Sequence, residues 1–150
     1  MEIESALDLY DAMMREAPAQ DVIIQAAAVA DYRFAETHPR KWKKQGEGRL
    51  TVSLVENPDI AQAVGEQKKP GQTLVGFAAE TDHLAEHAAE KMRKKNLDMI
   101  VANDVTRKGA GFNVDTNIAT LFTRYEALER PLQSKRQLAE DILDEIMRIR

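Results

Sequence analysis

Cysteine is absent from this 150-residue chain, which excludes disulfides, a thiolate nucleophile and any cysteine-ligated metal. No apolar run approaches the roughly 18 residues that a membrane-spanning helix requires, so no membrane partner is expected. The opening residues, Met1-Glu2-Ile3-Glu4-Ser5, have neither the cationic nor the apolar region of a signal peptide, and the expected compartment is the cytoplasm. A surplus of positive charge is missing too. The formal net charge of -4 argues against broad binding to nucleic acid or to a membrane surface. The two glycine-rich phosphate turns, G-x-G-x-x-G and G-x-x-x-x-G-K-[ST], occur nowhere in the chain.

What is present reads as one globular domain: 43% hydrophobic and 31% charged residues over a single-domain length. Ser5 is placed to cap a first helix with Leu7, Tyr10, Met13, Met14 and Ala17 on one face, ending before Pro18. A buried strand follows over residues 21–30, with Asp31 and Tyr32 at its exit. A polar excursion through Lys41-Trp42-Lys43-Lys44 leads to a strand over residues 50–55. Asn57-Pro58-Asp59 starts the next helix, with proline at its first position and an acid in its first turn.

Gln72-Thr73-Leu74-Val75 reads as a buried strand, followed by a turn over Gly76-Phe77-Ala78-Ala79-Glu80-Thr81-Asp82 and a helix over about residues 83–95. Two small alanines at a strand end let a ligand approach the backbone closely. Thr81 or Asp82 suits the cap of the helix, whose first N–H groups would face the crevice. Such a turn at the carboxyl end of a strand suits an anion or nucleotide, and equally suits a plain helix cap. The same helix ends in the cations Lys91, Arg93, Lys94 and Lys95, which also fit as solvated partners of its dipole.

The next strand, residues 96–102, ends in Asn103 and Asp104, which suit either a ligand or a turn; Asp31 carries the same ambiguity. A polar loop then holds Lys108 and Phe112. A strand over residues 116–123, a charged turn over 124–130 and a final helix capped by Ser134 complete the chain. His83 and His87 lie one helical turn apart without a third metal ligand and read as surface residues. Helices alternating with apolar strands predict an α/β fold, a doubly wound sheet. The fold's usual opening strand and glycine-rich turn are expected to be missing from this stretch.

Several segments in order, Ala26-Ala27-Ala28-Val29-Ala30-Asp31-Tyr32-Arg33, Lys41-Trp42-Lys43-Lys44, Glu56-Asn57-Pro58-Asp59-Ile60, residues 75–81, Lys94-Lys95-Asn96-Leu97-Asp98, and Ala102-Asn103-Asp104-Val105 with Gly111-Phe112-Asn113, carry a family resemblance. They resemble the phosphopantothenoylcysteine synthetase domain of the bacterial bifunctional coenzyme A biosynthesis protein.

That resemblance implies a Rossmann-like, mostly parallel sheet that dimerises. It also implies a phosphopantothenate–cysteine ligase. In this family CTP, with Mg²⁺, activates 4′-phosphopantothenate to an acyl-cytidylate, and the amine of cysteine displaces CMP. It places Ala78, Ala79, Asp82, Lys91, Lys95, Lys108 and Phe112 at the nucleotide, with Asp82 near ribose or metal. Lys41, Lys43 and Lys44 fall in a flap over phosphopantothenate, with Asp31 and Asn103 as further substrate contacts. The family's acyl-cytidylate asparagine belongs to a segment ahead of this stretch, so the chain, residues 1–150, is expected to be an N-terminally truncated synthetase domain. The competing expectations are a nucleotide-binding or dimerisation fragment without turnover, and a nicotinamide-dependent reductase. The reductase is disfavoured by the missing glycine fingerprint and the lack of a Tyr-x-x-x-Lys pair.

Overall fold

A computed structural model describes residues 1–37, 40, 41, 43, 46, 48–80, 84–104, 107, 109, 110 and 114–150, with Glu80, Leu84 and Asp104 described by backbone alone. The chain runs α1 (Ala6–Glu16), β1 (Val22–Gln25), β2 (Tyr32–Phe34), β3 (Leu54–Glu56), α2 (Ile60–Glu66), β4 (Thr73–Glu80), α3 (Leu84–Lys94), β5 (Met99–Asp104), β6 (Thr116–Thr123), β7 (Ala127–Ser134) and α4 (Lys135–Ile149). Five strands form one sheet in the order β1-β4-β5-β6-β7. The first three are parallel, and β6 and β7 add antiparallel strands at one edge. A separate antiparallel ribbon pairs β2 with β3.

Alternation along the strands loads both faces of the sheet. Leu74 and Ile100 pack with Ile60, Val64 and Ala88 on the side of α1, α2 and α3. Val75, Met99 and Val101 pack with Leu138, Ile142 and Ile146 of α4 on the other. These central strands are buried on both faces, which is why they read as continuous apolar runs. Ser5 and Ser134 cap their helices as the sequence predicts, each accepting a backbone N–H three residues on.

Several boundaries differ from expectation. The strand expected over residues 50–55 forms only at Leu54–Glu56, because its partner β2 offers only Tyr32–Phe34 to pair with. The strand expected from residue 96 begins at Met99, since Asn96 takes a left-handed backbone. Residues 76–79 are not a turn: they continue β4 and pair with residues 100–103 of β5. Pairing with β5, and for Gly76 also with Gln25 of β1, overrides the weak strand preference of Gly76, Ala78 and Ala79. The strand expected over residues 21–30 stops at Gln25, because the following backbone leaves β4 and is claimed elsewhere: Asn57 Nδ2 donates to the Ala30 carbonyl at 2.8 Å. Pro58 precedes the cap instead of opening the helix, since Asp59 Oδ1 accepts from the Gln62 N–H at 3.1 Å.

Finally, the charged stretch expected as a turn over residues 124–130 is mostly strand β7. Its charges and Pro131 suit an edge, and the proline falls at the irregularity opposite residues 117–119, where ladder pairing is interrupted.

Candidate functional site

A cavity of about 300 Å³ opens on the α2–α3 face of the sheet, toward the carboxyl ends of β1, β4 and β5. Three segments make its walls: residues 25–31 leaving β1, residues 57–61 entering α2, and residues 76–79 of β4. Lys91 and Lys95 of the α3 end, with Asn103 of β5, close it. Small residues create the space. Ala78 is buried, and Gly76 lacks the side chain that would press on Leu97.

Six sequence-predicted residues therefore meet at one cavity: Asp31, Ala78, Ala79, Lys91, Lys95 and Asn103. Lys41 and Lys43 are exposed and do not line it. Lys44, Asp82, Lys108 and Phe112 lie outside the described residues.

Each wall is tied down. Asn57 holds the loop after β1: its N–H donates to the Asp31 carbonyl at 2.7 Å, and its Oδ1 receives Arg33 Nη1 at 3.2 Å. Asn103 Oδ1 accepts from Asn117 Nδ2 at 2.9 Å, and the buried Asn117 amide is in turn oriented by the Ile118 N–H at 3.0 Å. Lys95 Nζ lies 2.9 Å from Asp59 Oδ2. Lys91 is half-buried one turn earlier on the same face of α3.

Sequence reasoning missed Gln25, Asn57 and Asp59 as site residues. Asn57 and Asp59 were legible as a helix start and as part of a segment carrying the family resemblance, but not as site residues. Gln25 had no signal at all, yet among the described residues its buried Oε1 has no hydrogen-bond partner, and Gln25 lines the cavity.

Lys91 and Lys95, offset by Asp31 and Asp59, join the amides of Gln25, Asn57 and Asn103 and small-residue backbone in a polar cavity of a size that suits a small ligand. Among the described residues no group of three or more His, Asp or Glu gathers to hold a metal by itself. A magnesium ion carried on a nucleotide needs less, one or two carboxylates besides phosphate oxygens. Asp31, exposed at the cavity, fits that need, whereas Asp59 is engaged by Lys95 and Gln62.

Residues 1–149 match the family model of the DNA/pantothenate metabolism flavoprotein C-terminal domain. The chain belongs to that family. The chain is 44% identical over 145 residues to the coenzyme A biosynthesis bifunctional protein CoaBC of Bacillus subtilis (strain 168), covering 96% of the chain and 35% of that protein. It is 41% identical over 149 residues to CoaBC of Escherichia coli (strain K12), covering 98% of the chain and 37% of that protein. The chain thus spans about a third of the length of these curated relatives.

Among solved structures, the C-terminal domain of a coenzyme A biosynthesis bifunctional protein CoaBC superposes with a TM-score of 0.79 at 39% identity, covering 99% of this chain and 66% of that one. The fold alone is shared with the DNA/pantothenate metabolism flavoprotein from Streptococcus pneumoniae, with a TM-score of 0.80 at 24% identity over all of this chain and 72% of that one.

Proposed function

We propose that this domain serves a phosphopantothenate–cysteine ligase, with CTP as the activating nucleotide. The gathering of Lys91, Lys95, Asp31 and Asn103 around one cavity at the carboxyl ends of parallel strands carries this reading. Membership of the family and the likeness to CoaBC proteins support the ligase assignment.

In the proposed reaction a carboxylate oxygen of 4′-phosphopantothenate attacks the α-phosphorus of CTP, and pyrophosphate leaves. The amine of cysteine then attacks the acyl carbon of the acyl-cytidylate. An amide forms, CMP leaves, and one proton is lost from the amine. Neither step needs a protein nucleophile. The protein's part is to bring one anion against another, so screening and positioning dominate.

Lys91 and Lys95 screen the nucleotide, Ala78 and Ala79 let it approach the β4 backbone, and Asn103 and Asp31 orient the groups at the cavity mouth. Asp31 and Asp82 would hold Mg²⁺, which would supply further charge neutralisation. We assign Lys41, Lys43 and Lys44 to phosphopantothenate, and Asp82, Lys108 and Phe112 to the nucleotide, with Asp82 near its metal. The cytoplasm is the proposed setting.

Thermal unfolding with Mg²⁺ and CTP, ATP or no nucleotide tests this. A ligand at about 100 times its dissociation constant adds about 2.7 kcal/mol, which moves a domain of this size by roughly 2–4 °C per kcal/mol. A shift with CTP alone is expected. No shift with either nucleotide would sink the nucleotide assignment and favour a scaffold role.

A homodimer through the β2–β3 ribbon is also proposed. Tyr32, Phe34, Leu50, Val52 and Leu54 leave apolar surface exposed there, around a groove of about 520 Å³ lined by Phe34, Leu50 and Val52.

A further inference from the structure

The carboxyl end of α3 is fixed to α2 beside the cavity. Gly65 of α2 packs against the Lys95 carbonyl so closely that a Cβ there would overlap its oxygen. The next residue, Asn96, adopts a left-handed backbone (φ 51°), and its Nδ2 donates to the Gly65 carbonyl at 2.8 Å. Lys68 Nζ donates to the Asn96 carbonyl at 2.7 Å. The backbone that carries Lys95 therefore takes its position from α2.

The side chain is held from the same helix. Asp59 divides its carboxylate: Oδ1 caps α2 through the Gln62 N–H at 3.1 Å, and Oδ2 meets Lys95 Nζ at 2.9 Å. The cap holds the carboxylate in place independently of the lysine, so it is a rigid acceptor and not a second mobile surface chain. With side-chain exposures of 25% for Lys95 and 40% for Asp59, the pair is too wet to matter much for stability. Its consequence is geometric. A lysine ammonium is a point charge on a flexible four-carbon stem with three donors. One donor spent on Asp59 fixes the head group at the cavity and leaves two for a ligand oxygen.

We infer that Asp59 is the positioning residue for Lys95, pre-organising its ammonium for the nucleotide. This rests on the reading of Lys95 as a nucleotide contact. The competing possibility is a counter-ion that a nucleotide must displace, and the two predict opposite effects of removing the charge.

Asp59→Asn separates them, because asparagine caps a helix as well as aspartate does and keeps the shape while losing the charge. Titration calorimetry with Mg·CTP on the whole chain, as wild type, D59N, K95M and D59N/K95M, reads the coupling. Positioning predicts that D59N weakens binding about fivefold, in line with the cost of ordering one long side chain on binding. It also predicts that D59N adds nothing further on top of K95M.

Tighter or unchanged binding by D59N would overturn the inference, as would an equal loss in the K95M background or wild-type affinity in K95M itself. A ligand-free measurement keeps the two readings apart. Acetic anhydride labelling should modify Lys95 several-fold faster in D59N than in wild type, and equal rates would overturn the inference. Faster labelling in D59N with no CTP binding by wild type would support the pin and remove the nucleotide reading alone.

Discussion

The Gly65 backbone lies so close to Lys95 that one added methyl group would occupy the space of the Lys95 carbonyl oxygen. Helix α2 can approach the α3 end only because this position has no side chain. Gly65→Ala would gain about 1 kcal/mol of helix propensity. It would also force two backbones apart, at a cost of about 1–3 kcal/mol or more for an overpacked contact. The net expectation is a loss of up to about 2 kcal/mol, read as a fall in melting temperature of up to several degrees. Loss of the nucleotide-induced shift should accompany it, since Lys95 moves with the seam. A more stable variant would refute the close approach.

Gln25 presents the opposite case, a polar atom in the wrong surroundings. Its Oε1 is buried without a donor among the described residues, and an unmet buried acceptor costs about 1–3 kcal/mol. Gln25→Met keeps the length and removes the unmet acceptor. It should raise stability by about 1 kcal/mol, or roughly 2–4 °C in melting temperature. A clear drop would mean that the carboxamide has a donor in solution.

At the start of α1, Ser5 and Asp8 form a reciprocal capping box. Asp8 Oδ2 accepts from Ser5 Oγ at 2.7 Å and from the Ser5 N–H at 2.9 Å, and the Asp8 N–H donates back to Oγ at 3.1 Å. The hydrogen bond from the Ser5 side chain is the largest cause holding the Asp8 carboxyl below its ordinary value of 3.8. A lowered folded pKa means stabilisation that is complete above the unfolded value and is lost as pH falls through the folded one. The stability difference between wild type and Asp8→Asn should therefore be constant near neutral pH and shrink below about pH 4. Urea midpoints measured across that range check it.

The ribbon makes a prediction about assembly. Leu54 is 53% exposed and Val52 42% exposed in the isolated chain. If they meet a second copy, sedimentation at micromolar concentration should show a dimer, and Val52→Glu should return it to monomer with little change in helix content. A monomeric wild type would refute the ribbon interface.

Much of this protein was legible locally. The Ser5 and Ser134 caps, the apolar stripes of α1 and α4, and the buried runs of β4 and β5 all depend on residues a few positions apart. So does the run of small residues Gly76, Ala78 and Ala79, which lines the cavity even though it extends a strand instead of turning. The absence of cysteine and of a glycine fingerprint narrowed the chemistry before any fold was known.

Only the tertiary structure decided where strands begin and end, because a ladder stops where its neighbour stops pairing and no residue within β1 announces that. The tertiary structure alone also brought Asp59 to Lys95, Asn117 to Asn103 and Gln25 beside Gly76. Those partners are distant in sequence, and each is chosen by how two elements pair or pack, so no local pattern of propensity, cap or period encodes it.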